Sequence, residues 1–202
     1  MAKYNITSNL PLSTIYKNGL LPQRNNPQYF YQDSSSRSNL TNPILSSENR
    51  RILRKTQKFT YKVIPINQFN FTNQVQKDCL KWSKQLKWNF PSSSIKTIFT
   101  KHIFNYVYTW TDNHQVVAYS ICLFKKTFSH IAYVFYHPDY IKTDLPIRLS
   151  LQVISDSINQ NLSFCYLGRF DPITKIGYYK RNFPNFQIYH YKNKIWKNFP
   201  AK

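Results

Sequence analysis

The chain has 202 residues, 42% of them hydrophobic, which suits one domain with a sizeable core. Its 28 Lys and Arg residues are set against 8 Asp and Glu residues, so the formal net charge is +20. Compositional drift should enrich Glu together with Lys, yet Glu48 is the only Glu. The charge therefore favours RNA or DNA as a partner. A membrane surface is the weaker alternative, because no basic helix with a clean apolar face stands out.

Cysteine spacing and hydropathy argue against several classes of protein. The three cysteines are far apart, which argues against a metal site, an iron-sulfur cluster and a disulfide framework. No apolar run approaches the roughly 18 residues of a membrane span, and the first residues lack the apolar core of a signal peptide. We therefore expect a cytoplasmic monomer with no membrane partner.

The N-terminal part of the chain differs in composition from the rest. Residues 1–45 are rich in Asn, Ser and Pro, so we expect an irregular arm packed on a domain of residues 46–202. Ser46 or Ser47 is a suitable N-cap for a helix that ends near Thr56. Glu48 lies in the first turn of this helix, where the helix dipole stabilises an anion.

The rest of the chain alternates between strand and helix patterns. Strands are predicted at residues 59–66, 104–111, 115–124, 129–136, 164–167 and 187–191. Helices are predicted at residues 75–86, from Pro91 onward, and at residues 146–159. An irregular basic tail should close the chain. This order predicts an α+β fold with a central, mainly antiparallel sheet flanked by helices.

Four short motifs occur in a fixed order along the chain. They are "SSENRRILRK" (residues 46–55), "YVFYHPD" (133–139), "YLG" (166–168) and "YYKRNFP" (178–184), with Trp196 near the end. This set resembles the arginyl-tRNA protein transferases and their bacterial leucyl-transferring relatives, which have a GNAT-like acyltransferase fold. The family's cysteine-rich N-terminal module is missing. The segments "RFDP" and "DLPIRLS", which would line the pocket, also depart from the family pattern.

The resemblance implies a reaction and its partners. An amino acid, arginine in preference to leucine, would move from its tRNA to the α-amino group of proteins that begin with Asp or Glu and mark them for N-degron degradation. The partners are then tRNA, with arginyl-tRNA favoured, and proteins with acidic N-termini. Ester aminolysis is downhill, so aminoacyl-tRNA suffices as co-substrate, and no coenzyme A, metal or iron-sulfur cluster is expected.

The motifs also imply roles for individual residues. The candidates for catalysis are Tyr179, Lys180, Asp139 and Asp171, although both Asp residues could instead serve turns beside Pro. The candidates for substrate binding are Arg50, Arg51, Arg54, Tyr133, Tyr136, Tyr166 and Gly168. The candidates for contact with tRNA are Lys55, Lys58, Lys175, Arg181, Lys192 and Lys194.

The double-arginine helix has two faces. Arg50 and Arg54 can share one face, and Arg51 and Lys55 the other. An arginine fork can bind a carboxylate with two parallel hydrogen bonds, so one pair could recognise the acidic acceptor while the other meets phosphate. A solvated basic surface is the alternative explanation.

Two rival functions stay open at this level. A coenzyme A acetyltransferase could share the fold, but it needs a glycine-rich turn for the pyrophosphate, and none of the three glycines lies in the turn just ahead of the helix at residues 146–159. A non-catalytic RNA-binding protein would also explain the charge and the aromatic residues.

Overall fold

The computed structural model describes residues 5–7, as backbone only, and residues 10–200. The helices are α1 (Leu12–Lys17), α2 (Ser47–Lys55), α3 (Asn73–Gln85), α4 (Ser92–Thr100) and α5 (Leu145–Asn159). The first strands are β1 (Asn5–Thr7), β2 (Leu20–Pro22), β3 (Tyr29–Gln32), β4 (Ser35–Asn39) and β5 (Thr60–Pro65). The others are β6 (Tyr106–Asp112), β7 (Gln115–Phe124), β8 (Phe128–Tyr136), β9 (Phe164–Arg169), β10 (Phe186–His190) and β11 (Ile195–Asn198).

Eight strands form the central sheet in the order β11-β10-β4-β9-β8-β7-β6-β5. All described neighbours in this sheet are antiparallel except β8 and β9. The meander of β6, β7 and β8 follows from alternating large apolar residues and from a tight turn at Asn113 and His114, whose φ angles are 48° and 66°. The predicted strands of this meander are confirmed.

Helices cover both faces of the sheet. Ile52 of α2 and Leu149 of α5 are buried in the core on one face, while Trp82 of α3 and Ile98 of α4 are buried in the core on the other. Each helix buries one apolar stripe, as its spacing predicts. Ser46 caps α2 by accepting a hydrogen bond from the backbone N–H of Asn49, so the predicted cap is confirmed. None of the described helices is long and apolar enough to cross a membrane.

The N-terminal segment is more regular than an arm. Its strand β4 lies inside the central sheet, hydrogen-bonded to β9 on one side and β10 on the other. The sequence of β4, "SSRSN", has no apolar alternation and therefore carried no strand signal. Small serines fit there because the strand is covered on both sides, and Ser36 Oγ donates a hydrogen bond to Gly168 O at 2.9 Å.

The C-terminal segment holds the N-terminal one in place. β11 pairs with β10, so the predicted irregular tail is a hairpin. The Tyr191 hydroxyl lies 2.5 Å from Gly19 O and 2.6 Å from Asp33 O, and Trp196 Nε1 donates to Lys17 O at 2.8 Å. The two ends of the chain thus close the same edge of the sheet.

Gly19 provides a test of this closure. Its φ is +71°, and an added Cβ would lie 2.5 Å from Cγ of Tyr189. Gly168 has nearly the same φ, +72°, but its Cβ would meet no heavy atom closer than 3.9 Å. Both alanine variants therefore incur the left-handed backbone cost of about 1–2 kcal/mol, and only Gly19→Ala adds an overpacking cost of about 1–3 kcal/mol.

The free energy of unfolding, measured by urea denaturation, should fall further for Gly19→Ala than for Gly168→Ala. Equal losses would show that the contact between Gly19 and Tyr189 does not hold the N-terminal segment.

Candidate active site

The only parallel pair in the described sheet opens a gap. Residues Phe128 to His130 of β8 pair with residues Phe164 to Tyr166 of β9. Beyond this point β8 continues to Tyr136 and β9 to Arg169, but the two strands no longer pair with each other. A cavity of about 470 Å³ occupies the space where the two strands diverge. Diverging strands expose backbone that a continuous ladder would have used, which makes this gap suitable for binding a substrate.

A β-bulge shapes the wall of the cavity. Ile121 of β7 faces Tyr133 and Cys122 faces Ile131, so Ala132 is the extra residue on β8 and has no partner on β7. Ala132 lines the cavity. Bulges twist a strand and redirect its side chains, and here the bulge coincides with the point at which β8 leaves β9.

The cavity reaches from one face of the sheet to the other. On the face covered by α5 it is lined by Ser150 and Tyr179, and on the opposite face by Pro22 of β2 and Tyr31 of β3. Two substrates could therefore approach from opposite faces and meet between the strands.

Lys180 belongs to a 3-10 helix, Tyr178–Asn182, and its side chain reaches the end of β9. Its Nζ donates hydrogen bonds to Leu167 O at 2.6 Å and to Arg169 O at 2.8 Å. Burial, followed by the charge of Arg169, lowers the pKa of Lys180 to about 8. A lysine with this pKa can give or accept a proton near neutral pH.

Tyr179 faces the α5 side of the cavity. The residue as a whole is 36% exposed, but its hydroxyl is buried, and this burial raises its pKa to about 12 despite a hydrogen bond with Ser150. The phenol therefore keeps its proton at neutral pH and can act as a hydrogen-bond donor.

His130 and Tyr16 form a buried pair at the cavity that the sequence did not predict. Tyr16 Oη and His130 Nδ1 are 2.7 Å apart, and the two residues are 0% and 3% exposed. Burial, with a further contribution from the charge of Lys180, lowers the pKa of His130 to about 3, so the ring is neutral. The available signal was that His130 shares a strand face with Phe128, which marks it as buried.

The side of the cavity near the N-terminal segment carries positive charge. Arg24 lines it, donates a hydrogen bond from Nη1 to Asn89 O at 2.6 Å, and stacks over the ring of Phe90 at 3.9 Å. Arg169 also lines it, and its Nε is 2.6 Å from Asp33 Oδ2. Within the described part of the chain, no Asp or Glu lines the cavity itself.

The structure gathers four of the predicted site residues in this cavity: Tyr133, Gly168, Tyr179 and Lys180. Tyr133 and Phe135 pack on one face of the sheet and Tyr136 on the other, as predicted. Tyr136 packs against Trp88, away from the cavity lining. Tyr166 is buried beneath the cavity against Tyr16.

The two acids near the motifs lie apart from the cavity lining. Asp139 is exposed in a 3-10 helix, with its carboxylate 3.6 Å from His137 Nδ1. Asp171 accepts hydrogen bonds from Ile173 N at 2.9 Å and from Thr174 Oγ1 at 2.7 Å, which are contacts typical of a turn. Both residues therefore fit the alternative in which they serve turns.

The double-arginine helix α2 also lies outside the cavity lining. Arg51 binds Glu48 at 2.6 Å and Asp144 at 3.3 Å, and Lys55 binds the same Asp144 at 3.1 Å. Arg51 and Lys55 thus share a face, as predicted, and this face is directed at the start of α5. Arg50 Nη1 donates to Leu45 O at 2.5 Å, and Arg54 is exposed.

The residues predicted to contact tRNA fall into two groups. Three have partners within the chain: Lys55 with Asp144, Lys58 with Asp112, and Arg181 with the Tyr178 hydroxyl. The other three are exposed and make no ion pair with described residues: Lys175, Lys192 and Lys194. Lys192 and Lys194 lie together in the turn between β10 and β11.

No family model and no curated protein matches the chain by sequence. A protein from Agrobacterium fabrum, assigned as a lysylphosphatidylglycerol synthetase, has a C-terminal domain (DUF2156) that matches with a TM-score of 0.54 and 14% identity, over 78% of this chain and 51% of that one. L-PGS from Bacillus licheniformis matches with a TM-score of 0.50 and 12% identity, over 79% of this chain and 60% of that one.

The ribosomal-protein-S18-alanine N-acetyltransferase of Escherichia coli matches with a TM-score of 0.43 and 12% identity, over 60% of this chain and 75% of that one. The chain spans about half to three fifths of the length of the first two structures. At these identities the likeness concerns the fold. The α+β, GNAT-like fold predicted from the sequence, with a central, mainly antiparallel sheet flanked by helices, is confirmed.

Proposed function

We propose that this chain is an aminoacyl-tRNA-dependent protein transferase, which moves an amino acid from its tRNA ester to the N-terminal α-amino group of a protein beginning with Asp or Glu. The observation that carries the proposal is the cavity between β8 and β9, which is lined by residues from both faces of the sheet and by Lys180, whose pKa is about 8. Such a cavity can align a donor ester and an acceptor amine, and alignment supplies much of the rate of an acyl transfer.

The chemistry assigned to Lys180 follows from its hydrogen bonds. In the neutral amine, two N–H groups serve Leu167 O and Arg169 O, which leaves the lone pair to face elsewhere. The acceptor amine, with a free pKa of about 7.7–8.0, attacks the ester carbonyl in its neutral form. Lys180 takes the proton that the new C–N bond releases, and the proton passes to the ribose oxygen as the C–O ester bond breaks.

The acidic acceptor fits the positive side of the cavity. Arg24 is held by Asn89 and Phe90, and it has no ion pair with a described carboxylate. A guanidinium fixed in this way can bind a carboxylate with little further loss of side-chain entropy. We therefore assign recognition of the acceptor carboxylate to Arg24 in preference to the arginines of α2.

The start of α5 supports a donor other than coenzyme A. A pyrophosphate bound there would meet the carboxylate of Asp144, which precedes the helix, and Pro146 in the first turn offers no N–H. Arg51 and Lys55 are already paired with Asp144.

Two observations favour different amino acids as the transferred group. The motif resemblance favours arginine. The cavity lining, with Arg24, Arg169, Lys180 and no described carboxylate, favours an uncharged side chain such as that of leucine.

The deciding experiment offers the protein radiolabelled arginyl-tRNA or leucyl-tRNA together with peptides that begin with Asp, Glu or Ala. Label should appear on the Asp and Glu peptides only, and the productive tRNA identifies the amino acid. Binding of tRNA without label in any arm would support the non-catalytic RNA-binding alternative, and labelling from acetyl-coenzyme A would support an acetyltransferase.

The pH dependence tests Lys180. Both the acceptor amine and Lys180 must lose a proton before the chemical step, so log kcat/KM should fall with a slope approaching 2 as the pH drops well below about 8. In Lys180→Met only the amine titrates, so the slope should approach 1, with kcat lower by about 10²-fold or more. Lys81→Met, which changes an exposed lysine of α3, is the control with an unchanged profile. A slope of 2 in a folded Lys180→Met variant would exclude Lys180 as the base.

Acceptor specificity tests Arg24. Arg24→Gln should raise KM for the Asp peptide by about tenfold or more, because it removes a charge-assisted hydrogen bond of about 1.5–3 kcal/mol, while kcat changes little. Arg54→Gln, which changes an exposed arginine of α2 in the same way, should leave KM unchanged. If Arg54→Gln has the larger effect, α2 and not the cavity recognises the acceptor.

The salt dependence of tRNA binding tests the exposed lysines. Removing one cation that binds a phosphate should make the slope of log Kobs against log salt shallower by about 1, so replacing Lys192 and Lys194 with Gln should make it shallower by about 2. Lys55→Gln should change the slope little, because Lys55 is paired with Asp144. A larger change for Lys55 would place the tRNA on α2.

A further inference from the structure

The hydrogen bond between the Tyr16 hydroxyl and His130 Nδ1 could run in either direction, and the surroundings of the hydroxyl favour one of them. The hydrogen bonds of the described residues give the Tyr16 hydroxyl one partner, His130 Nδ1. Burial keeps the Tyr16 pKa well above its usual value, so the hydroxyl retains its proton. A hydroxyl that donates to Nδ1 occupies the lone pair of that nitrogen. Because the ring is neutral, its single N–H proton must then be on Nε2.

The other ring nitrogen is directed at the gap between the strands. His130 lines the cavity, and its Nε2 is the one atom found within 4 Å of the Cβ position of Gly168, at 3.9 Å. The glycine leaves open the space that a side chain would fill in front of Nε2. Lys180 Nζ donates to the carbonyls on either side of this glycine, Leu167 O and Arg169 O. His130 Nε2 and Lys180 Nζ therefore lie beside the same part of the cavity.

We propose that His130 is a catalytic hydrogen-bond donor whose Nε2–H binds the carbonyl oxygen of the transferred acyl group as it becomes an oxyanion, and that Tyr16 is a positioning residue that fixes the tautomer. This inference rests on the proposed acyl transfer. His130 gains and loses no proton in the reaction. It donates one hydrogen bond that strengthens when the carbonyl oxygen acquires negative charge, and a preorganised donor in a partly dry site stabilises such a charge.

The environments of His130 and Lys180 separate their roles. Burial, followed by the charge of Lys180, lowers the pKa of His130 to about 3. Burial, followed by the charge of Arg169, lowers the pKa of Lys180 to about 8, so the histidine is neutral at any pH at which the lysine titrates. Two neighbouring groups whose pKa values are pushed apart in this way can serve as fixed donor and as base. The histidine cannot compete for the proton that the lysine takes.

Nuclear magnetic resonance of the ¹⁵N-histidine-labelled protein tests the tautomer without any substrate. His130 should show the Nε2–H tautomer from pH 5 to 8, and Tyr16→Phe should remove this preference. Assignment uses the resonance that disappears in His130→Gln. An Nδ1–H tautomer in the wild-type protein overturns the inference, whatever the kinetics show.

Kinetics test the catalytic role. His130→Leu should lower kcat by about 10²–10³-fold with little change in KM, as expected for loss of one oxyanion donor, while His130→Gln keeps an N–H and should lose less. Tyr16→Phe should lower kcat by less than His130→Leu.

His102→Leu is the matched control and should keep its kcat, because His102 is a partly buried histidine whose Nε2 is bonded to Gln23 O at 2.7 Å and which does not line the cavity. Thermal unfolding confirms that each variant is folded. A wild-type chain that transfers no amino acid overturns the proposed function and the catalytic role with it. An active chain whose folded His130→Leu variant keeps its kcat overturns this inference alone.

Discussion

The parting of β8 from β9 is the constraint on which the site depends. In a continuous ladder the backbone groups at this point would be hydrogen-bonded to one another and the sheet would be closed. The bulge at Ala132 twists β8 away, Gly168 takes a left-handed conformation in β9, and Lys180 hydrogen-bonds the carbonyls of Leu167 and Arg169 that the separation leaves unused. The lysine that stabilises the gap is thus also the titratable group inside it.

The N-terminal segment completes this arrangement in a way that its composition hides. β4 pairs with the outer edge of β9, so β9 is held from one side and can leave β8 on the other. The same segment supplies Tyr16 beneath the cavity and Arg24 beside it. A stretch that reads as an irregular arm therefore carries structural and functional residues of the domain.

Some of the basic side chains form ion pairs that hold the fold together, while others do not. Several acids neutralise particular cations, as Asp144 does for Arg51 and Lys55, and Asp33 for Arg169. The excess of basic residues leaves other cations without an ion pair to any described carboxylate, among them Arg24 at the cavity and Lys192 and Lys194 in the last hairpin. The basic block of α2, the most conspicuous in the sequence, is in part committed to holding α2 against α5.

The sequence alone determined the elements whose signals are local: the cap at Ser46, the meander of β6 to β8, the apolar stripes of the helices, and through their order the α+β, GNAT-like fold. It also singled out Tyr133, Gly168, Tyr179 and Lys180, which the structure gathers in one cavity. Contacts between distant parts of the chain make β4 a central strand, keep Asp139 and Asp171 apart from the cavity lining, and bring Tyr16, Arg24 and His130 to the cavity. The physical reason is that these features depend on partners distant in the chain. A run of serines becomes a strand only between β9 and β10, and a histidine becomes a fixed donor only when a tyrosine 114 residues away occupies its other nitrogen.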